Sequence, residues 1–166
     1  MQDEIVPVVD EQDNIIGYKK RKLLTEKDIH RSGALWIENS KGQLFIAQRA
    51  DSKKSFPGCW GSGASGVVSK GEEYDAAILR EAEEEIGLKG IKPMLLGKLR
   101  IKEGKINFFA QYFILKSDLD ERDLVLNKRE VKAVKWIYKN ELKKEVEDHP
   151  ERFTLAFSKA VKAFIR

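Results

Sequence analysis

The chain has 166 residues, of which 42% are hydrophobic and 35% are charged, and its formal net charge is +4. This composition is typical of a globular domain, and no apolar run approaches the roughly 20 residues that a membrane-spanning helix needs. The first residues lack the basic flank and apolar run of a signal peptide, so we expect a cytoplasmic protein with no membrane partner. Cys59 is the only cysteine, which excludes an intrachain disulfide.

Short apolar runs between turn residues predict the strands in the first half of the chain. The first covers residues 5–9, and Pro7 places it at a sheet edge because proline cannot donate a ladder hydrogen bond. Its predicted hairpin partner covers residues 14–18. Two further strands are predicted at 33–37 and 44–48, joined by a turn at 39–42 and followed by a loop at Pro57-Gly58.

The second half mixes helices with strands. A helix is predicted at 73–86, a hairpin at 94–101 and 106–115, a strand at 134–138, and helices at 141–147 and from 151 onward. Apolar residues recur at helical spacing in the last helix and indicate core packing: Phe153, Phe157, Ala160, Val161 and Phe164. This mixture predicts an α/β (α+β) layered fold, with residues 1–166 forming a single domain.

Acidic residues are concentrated in one short segment. Residues 72–85 contain seven acidic residues and one basic residue, a local charge of −6, so the rest of the chain carries +10. Such a patch in a basic protein favours cation binding, and the basic surroundings favour an anionic small molecule. The overall charge is too mild to indicate a specific nucleic-acid partner.

The helix predicted at 73–86 has two faces. One is an apolar stripe of Ile78, Leu79, Ala82 and Ile86. Glu81, Glu84 and Glu85 follow i, i+3, i+4 spacing and share a different face, where the small Ala77 is expected to leave space beside the carboxylates. Gly87 is expected to end the helix, since glycine tolerates the left-handed conformation.

Three carboxylates on adjacent turns repel one another, and a cation would convert that repulsion into coordination. Carboxylate oxygens are hard ligands, which favour Mg²⁺, with Mn²⁺ possible. Mg²⁺ commonly takes one or two protein carboxylates and completes its coordination with water and substrate phosphate. The pattern therefore leaves room for a diphosphate and a nucleophilic water.

Residues 66–88 resemble the Nudix box. Five residues separate Gly66 from Glu72, seven separate Glu72 from Arg80, and the segment ends in REAEEEIGL. All the fixed positions of that motif are filled, by Gly66, Glu72, Arg80, Glu81, Glu84, Glu85 and Gly87. The resemblance implies an α/β/α sandwich with a mixed central β-sheet.

The resemblance also assigns roles. It implies that Glu81, Glu84 and Glu85 bind the metal and serve catalysis, and that Arg80 and Glu72 form an ion pair between loop and helix. The implied activity is hydrolysis of a diphosphate linkage in a nucleoside diphosphate derivative or nucleotide by metal-activated water. A non-catalytic nucleotide-binding module is an alternative that the intact carboxylate set disfavours.

Segments 30–36 and 48–60 are similar to isopentenyl-diphosphate isomerases and their hydrolase relatives. In the isomerases the positions that match Arg49 and Lys53 contact the substrate diphosphate, and both side chains suit phosphate oxygens. Isomerase activity itself is the runner-up, because the resemblance requires a cysteine at Ser65, a histidine at Val67 and glutamates in segment 106–111. This chain has none of these.

Segment 130–137 resembles a recurring late Nudix segment whose glutamate sometimes approaches the metal. Glu130 is thus either a catalytic neighbour or a solvated charge. The glycines of 61–66 match G-x-G-x-x-G, but no helix follows at once, so they are interpreted as a lead into the Nudix loop. The oligomeric state stays open between monomer and homodimer.

Overall fold

A computed structural model of the chain describes residues 3–166. It contains nine strands, β1 to β9, and three α-helices, α1 to α3, among these residues. The strands are β1 (Ile5–Val9), β2 (Ile15–Lys20), β3 (His30–Glu38), β4 (Gln43–Arg49), β5 (Trp60–Gly61), β6 (Ala64–Val67), β7 (Met94–Glu103), β8 (Ile106–Lys116) and β9 (Val131–Tyr138). The helices are α1 (Tyr74–Ile86), α2 (Lys139–Asp148) and α3 (Leu155–Phe164).

The central sheet has seven strands and is mixed. β3 pairs with β8 in parallel over its whole length, whereas its other ladders are antiparallel. β3 and β4 pair only at Ile37↔Phe45 and Glu38↔Leu44. Past that point the two strands pair with β6 and β5 respectively. Segment 60–67 therefore lies between β3 and β4 and brings the glycine-rich stretch to the middle of the sheet.

Each face of the sheet carries its own apolar core. The alternation of β3 shows this directly, since Leu35 and Ile37 pack with α1 on one face. Ala34 and Trp36 pack with α2 and α3 on the other. Alternate side chains of a strand point to opposite faces, so one apolar strand supplies both cores. The α/β/α sandwich with a mixed central sheet is confirmed.

Strands β1 and β2 form a separate antiparallel sheet of two strands, which we call the N-terminal hairpin. Pro7 is accommodated there as expected for an edge position. That residues 1–166 form one domain stays a prediction, and its first two residues, Met1 and Gln2, lie outside the described residues. Between residues 3 and 166 there is no helix with the length and apolar character needed to span a membrane.

Four expectations from the sequence were wrong in detail. Segment 60–67 forms two short strands instead of a plain loop, because it fills the gap between β3 and β4. Leu79 is 40% exposed and does not belong to the buried stripe of α1. Ala77 is buried in the core instead of leaving space beside the carboxylates. The last helix begins at Leu155, after a 3-10 turn at Pro150–Arg152.

The end of α1 is held by Gly87 and by the loop that precedes β9. Gly87 has φ +70°, the left-handed conformation expected for a helix stop. Val125 N–H donates to the Ile86 carbonyl at 3.1 Å, and Asn127 N–H donates to the Glu85 carbonyl at 2.9 Å. A side chain at position 87 would place its Cβ 3.0 Å from Val125 Cβ. Glycine is therefore required twice, for its conformation and for this close approach.

Gly87→Ala is expected to destabilise the fold by about 2–3 kcal/mol, because alanine in the left-handed region costs about 1–2 kcal/mol and the Val125 contact adds to it. Gly90→Ala is the matched control, since Gly90 has φ +66° but nothing within 4 Å of an added Cβ. Urea unfolding measures both free energies. Equal losses of unfolding free energy in the two variants would show that Val125 makes no unfavourable contact with a side chain at position 87.

Candidate active site

The predicted site residues converge on one large cavity of about 1090 Å³. It lies where the carboxylate-bearing face of α1 meets β6, the end of β4 and the start of β8. Every predicted catalytic, metal-binding and substrate-binding residue lines it, together with two of the supporting residues: Arg49, Lys53, Gly66, Arg80, Glu81, Glu84, Glu85 and Glu130. Glu72 and Gly87 lie outside the lining, where they support Arg80 and the end of α1.

Gly66 allows β6 to approach the turn of α1 that carries Glu81. A Cβ at this position would lie 2.2 Å from Glu81 Cδ and 2.3 Å from its Oε1. No real side chain tolerates such a distance, so the carboxylate of Glu81 occupies space that only glycine leaves open. This contact is the local reason for a glycine in the box, and it presses Glu81 against the β6 backbone.

Arg80 and Glu72 form the predicted ion pair in a bidentate arrangement. Arg80 Nε donates to Glu72 Oε2 at 2.8 Å, and Nη2 donates to Oε1 at 2.9 Å. Arg80 also donates to the Val67 carbonyl at 3.2 Å, while Ser69 N–H donates to Glu72. The hydrogen bond and charge from Arg80 lower the pKa of the Glu72 carboxyl. The pair thus ties β6, the loop after it and α1 together.

Glu85 is the most deeply placed of the three helix carboxylates. Ser65 N–H, on β6, donates to Glu85 Oε1 at 2.8 Å and fixes one oxygen of the carboxylate. Burial, followed by the charge of Glu81, raises its pKa to about 8. Burial also raises the pKa of Glu81, against the opposing charge of Arg80. The surroundings of Glu81 and Glu85 therefore disfavour the negative charge of both carboxylates.

The other predicted contacts come from the β4–β5 loop and from the turn before β9. Arg49 donates to the Ser55 carbonyl at 2.9 Å and to Ser55 Oγ at 3.2 Å. Lys53 forms an ion pair with Glu130. Glu130 therefore faces the cavity as a partner of Lys53, and its charge contributes to the raised pKa of Glu85.

The site chemistry suits a hard divalent cation. Within residues 3–166, no three histidine, cysteine, aspartate or glutamate side chains converge closely enough to coordinate a metal. Arg80 instead contacts Glu81 at 2.8 Å and Glu84 at 3.4 Å. The donors are nevertheless all carboxylate oxygens, and the raised pKa values of Glu81 and Glu85 reflect burial and mutual repulsion that a cation would relieve.

Several lining residues were not anticipated from the sequence. Asn127 accepts the N–H groups of Glu130 and Val131 at its carbonyl and that of Arg129 at its side chain, which shapes the turn that carries Glu130. Glu4 and Arg21 reach the cavity from the N-terminal hairpin. His30 also lines it, with its ring 5.2 Å from that of Phe108. None of them falls in the Nudix box, and although His30 begins a segment that resembles the isomerases, no role was assigned to it from the sequence.

The NUDIX domain model matches residues 28–157. This covers most of the chain, so the chain belongs to the Nudix family. Together with relatives that are named Nudix hydrolases, this match supports a hydrolase of the class that acts on pyrophosphate bonds.

An uncharacterised Nudix hydrolase of Streptomyces coelicolor is 38% identical over 104 residues, which are 61% of this chain and 58% of that protein. The chain thus spans just over half the length of that relative. The isopentenyl-diphosphate Delta-isomerase 1 of Photorhabdus laumondii is 31% identical over 164 residues, covering 94% of this chain and 92% of that one. The predicted branch of the family is confirmed.

The crystal structure of DR0079 from Deinococcus radiodurans superimposes with a TM-score of 0.84 and 25% identity. The match covers 98% of this chain and all of that one. The whole described fold, including the N-terminal hairpin, therefore has a counterpart in a known structure.

Gly66→Ala is expected to lower kcat/KM for cleavage of pyrophosphate bonds by about 100-fold, because the added Cβ must displace Glu81 from its place. Activity on a panel of nucleotides measures the loss. Gly33→Ala is the control, since Gly33 pairs with Gly66 in the β3–β6 ladder but its Cβ would meet only ordinary contacts at 3.4 Å or more. A fully active Gly66→Ala variant would contradict the role of this approach.

His30 gives the fold a pH dependence. Burial, followed by the charge of Arg21, lowers its pKa from 6.5 to about 4. Between those values the unfolded chain binds a proton that the folded chain does not, so His30 makes the fold less stable as pH falls from about 6.5 to about 4. The full effect is up to about 3 kcal/mol.

His30→Gln should reduce this loss of stability, as measured by urea unfolding between pH 7 and pH 4. His149→Gln, at a histidine whose side chain is 46% exposed, should follow the wild-type curve. If the His30 variant lost as much stability as the wild type over this range, the histidine would not be the source of the slope.

Proposed function

We propose that the protein is a Mg²⁺-dependent hydrolase that cleaves the diphosphate linkage of a nucleoside diphosphate derivative or nucleotide by attack of water. One observation carries the proposal. Three carboxylates of a single helix and two cationic side chains, Arg49 and Lys53, line the same cavity. Such a site suits both a cation and the phosphate groups that the cation would neutralise.

Glu81, Glu84 and Glu85 would hold the Mg²⁺, with Mn²⁺ as an alternative ion. When bound, the ion supplies positive charge for the diphosphate and lowers the pKa of a water. The chain itself provides the orientation. Arg80, fixed by Glu72, keeps the helix carboxylates against β6, and Ser65 N–H fixes one oxygen of Glu85.

The remaining residues bind phosphate and move the proton. Arg49 presents a planar guanidinium and Lys53 a compact charge to the phosphate oxygens. The water attacks phosphorus, and the bond from phosphorus to the bridging oxygen breaks. We assign the water proton to Glu130 Oε1, because Oε2 pairs with Lys53. When Lys53 binds phosphate instead, Glu130 is released from this ion pair and becomes a better proton acceptor.

The size of the cavity supports a substrate larger than a bare diphosphate. Ligand pockets commonly measure about 300–1,000 Å³, and this one measures about 1090 Å³. On the α3 side its lining includes the small residues Ala34 and Ala110 and the aromatic residues Phe108, Tyr112 and Phe157. Apolar walls with few polar groups suit a flat organic group such as a nucleobase.

Isomerisation of isopentenyl diphosphate is the weaker candidate, although several relatives carry the name isopentenyl-diphosphate Delta-isomerase. Ser65, Val67 and Phe108 line the cavity at positions where the isomerase pattern needs a thiol, an imidazole and a carboxylate. None of these side chains supplies the required group. Incubation of the purified protein with isopentenyl diphosphate would overturn the ranking if it produced the isomeric five-carbon diphosphate.

Glu85→Gln and Glu81→Gln are each expected to lower kcat at least about 100-fold, because each removes a charge that would hold the metal, and a bound metal stabilises the transition state by several kcal/mol. The measurement is release of nucleoside monophosphate or phosphate from a panel of nucleoside diphosphate derivatives, diphosphates and triphosphates in Mg²⁺. EDTA should abolish the wild-type activity, and Mg²⁺ or Mn²⁺ should restore it.

Glu83→Gln is the matched control. Glu83 lies on the same helix and carries the same charge, but it is exposed, outside the cavity lining, and 3.5 Å from Lys89. Full activity in the Glu81 and Glu85 variants would refute the assignment of the metal ligands. Equal losses in all three variants would point to a general electrostatic effect instead.

A further inference from the structure

The residues that flank the N-terminal hairpin form part of the cavity wall, although they precede the matched family segment, which starts at residue 28. Glu4 and Arg21, at the open end of the hairpin, line the same cavity as Glu81 and Glu85. Glu4 also adds to the negative charge around Glu81. The position of the hairpin therefore bears on the site that the proposed function uses.

The hairpin shares no strand ladder with the seven-stranded sheet. An isolated hairpin of two strands is marginally stable in water, so its position depends on other contacts. Part of the attachment is apolar, since Val6, Val8 and Val9 are buried. Backbone hydrogen bonds from Val9 to Ile29 and from Lys70 to Ile5 add two more contacts.

Two carboxylates in the turn between β1 and β2 add to this attachment. That of Glu11 pairs with Arg100 on β7. The more extensive attachment is the carboxylate of Asp13. It accepts hydrogen bonds from Arg31 Nε at 2.7 Å, Tyr74 OH at 2.8 Å and Lys98 Nζ at 2.7 Å. Arg31 Nη2 also donates to the Asp13 carbonyl at 2.7 Å. We call Asp13 and these three donors the Asp13 latch. Its donors come from β3, α1 and β7, so one side chain joins the turn to three elements of the main body.

The surroundings of Asp13 keep its carboxylate buried and charged in this position. Its side chain is only 8% exposed, and its φ of 63° lies in the left-handed region that non-glycine residues rarely adopt. Burial opposes its ionisation, but hydrogen bonds from Lys98, Arg31 and Tyr74 outweigh burial and lower its pKa. A turn that needed only to reverse the chain would require neither the buried charge nor the three donors.

Tyr74 connects the latch to the helix that carries the glutamates. It is the first residue of α1, and the helix has no side-chain hydrogen bond at its N-cap, Glu73. The cationic groups of Arg31 and Lys98 lie 5.2 Å and 5.1 Å from the centre of the Tyr74 ring. The Asp13 carboxylate offsets part of these two charges and accepts from Tyr74 OH, so it contributes to where α1 begins.

We propose that Asp13 is a positioning residue of the active site, which acts through Tyr74 and the N-terminal hairpin to fix the start of α1 and one wall of the cavity. The proposal rests on the proposed function only for its effect on catalysis. The mechanical coupling of the turn to α1 is independent of the substrate.

Asp13→Asn tests the latch with little change in shape, because asparagine also accepts the left-handed conformation. Asp10→Asn is the matched control. Asp10 lies in the same turn, but its carboxylate accepts only from Gln12 and Asn14 within the turn. Both variants weaken the hairpin turn, but only Asp13→Asn weakens the hydrogen bonds from Arg31, Tyr74 and Lys98. The ion pair between Glu11 and Arg100 is present in both variants.

Amide hydrogen exchange is the first measurement and needs no substrate. Asp13→Asn should speed exchange about tenfold in β2 and in the first turn of α1, whereas Asp10→Asn should speed it only around residues 10–14. Thermal unfolding checks that both variants fold. Faster exchange confined to the hairpin in Asp13→Asn, or the same pattern in both variants, overturns the proposal.

Steady-state kinetics is the second measurement, on whichever diphosphate of the panel the wild type cleaves. Asp13→Asn should raise KM about tenfold with little change in kcat, because it moves a binding wall and leaves Glu81 to Glu85 in place. Tyr74→Phe should raise KM similarly, and the double variant should show less than the product of the two effects. Independent effects would overturn the action through Tyr74. If the wild type cleaves no member of the panel, the proposed function fails. The exchange experiment still tests whether the Asp13 latch couples the turn to the start of α1.

Discussion

The close approach of β6 to α1 is the constraint on which the rest of the site depends. It exists because position 66 has no side chain, so that the Glu81 carboxylate packs where a Cβ would be. That approach lets Arg80 reach both the Val67 carbonyl and Glu72, and it lets Ser65 N–H reach Glu85. The split between β3 and β4 makes it possible, since segment 60–67 enters the sheet there. A feature of the sheet thus sets the geometry of carboxylates on a helix.

The same packing creates an electrostatic cost. Glu81 and Glu85 are drawn out of water towards the sheet, and burial raises the pKa of both. Arg80 and Lys53 offset part of this cost, but Arg80 is also bound by Glu72 and Lys53 by Glu130. A divalent cation would relieve the burial and mutual repulsion of these carboxylates, and Arg49 and Lys53 in the same cavity supply positive charge for an anionic substrate.

The sequence was most informative where a property is local to one element. Helical spacing placed Glu81, Glu84 and Glu85 together, and the continuous apolar run at 33–37 predicted a strand there. Prediction from the sequence failed where contacts between distant segments determine the structure. Ala77 was expected beside the carboxylates, but the fold buries it and leaves the space at Gly66 instead. The short strands in segment 60–67 form only because β3 and β4 diverge, and no local pattern encodes that divergence.

The residues that the sequence did not reveal share one physical origin. Asn127, Glu4 and Arg21 reach the cavity from loops and from the N-terminal hairpin, whose positions are set by contacts between distant parts of the chain. Family motifs record the helix and its loop because that chemistry is common to the family. The rest of the cavity wall is built by segments outside that motif, so the motif does not place their residues. Asp13 shows how such a segment is held in place. Its buried carboxylate accepts hydrogen bonds from three donors and so joins the N-terminal hairpin to α1.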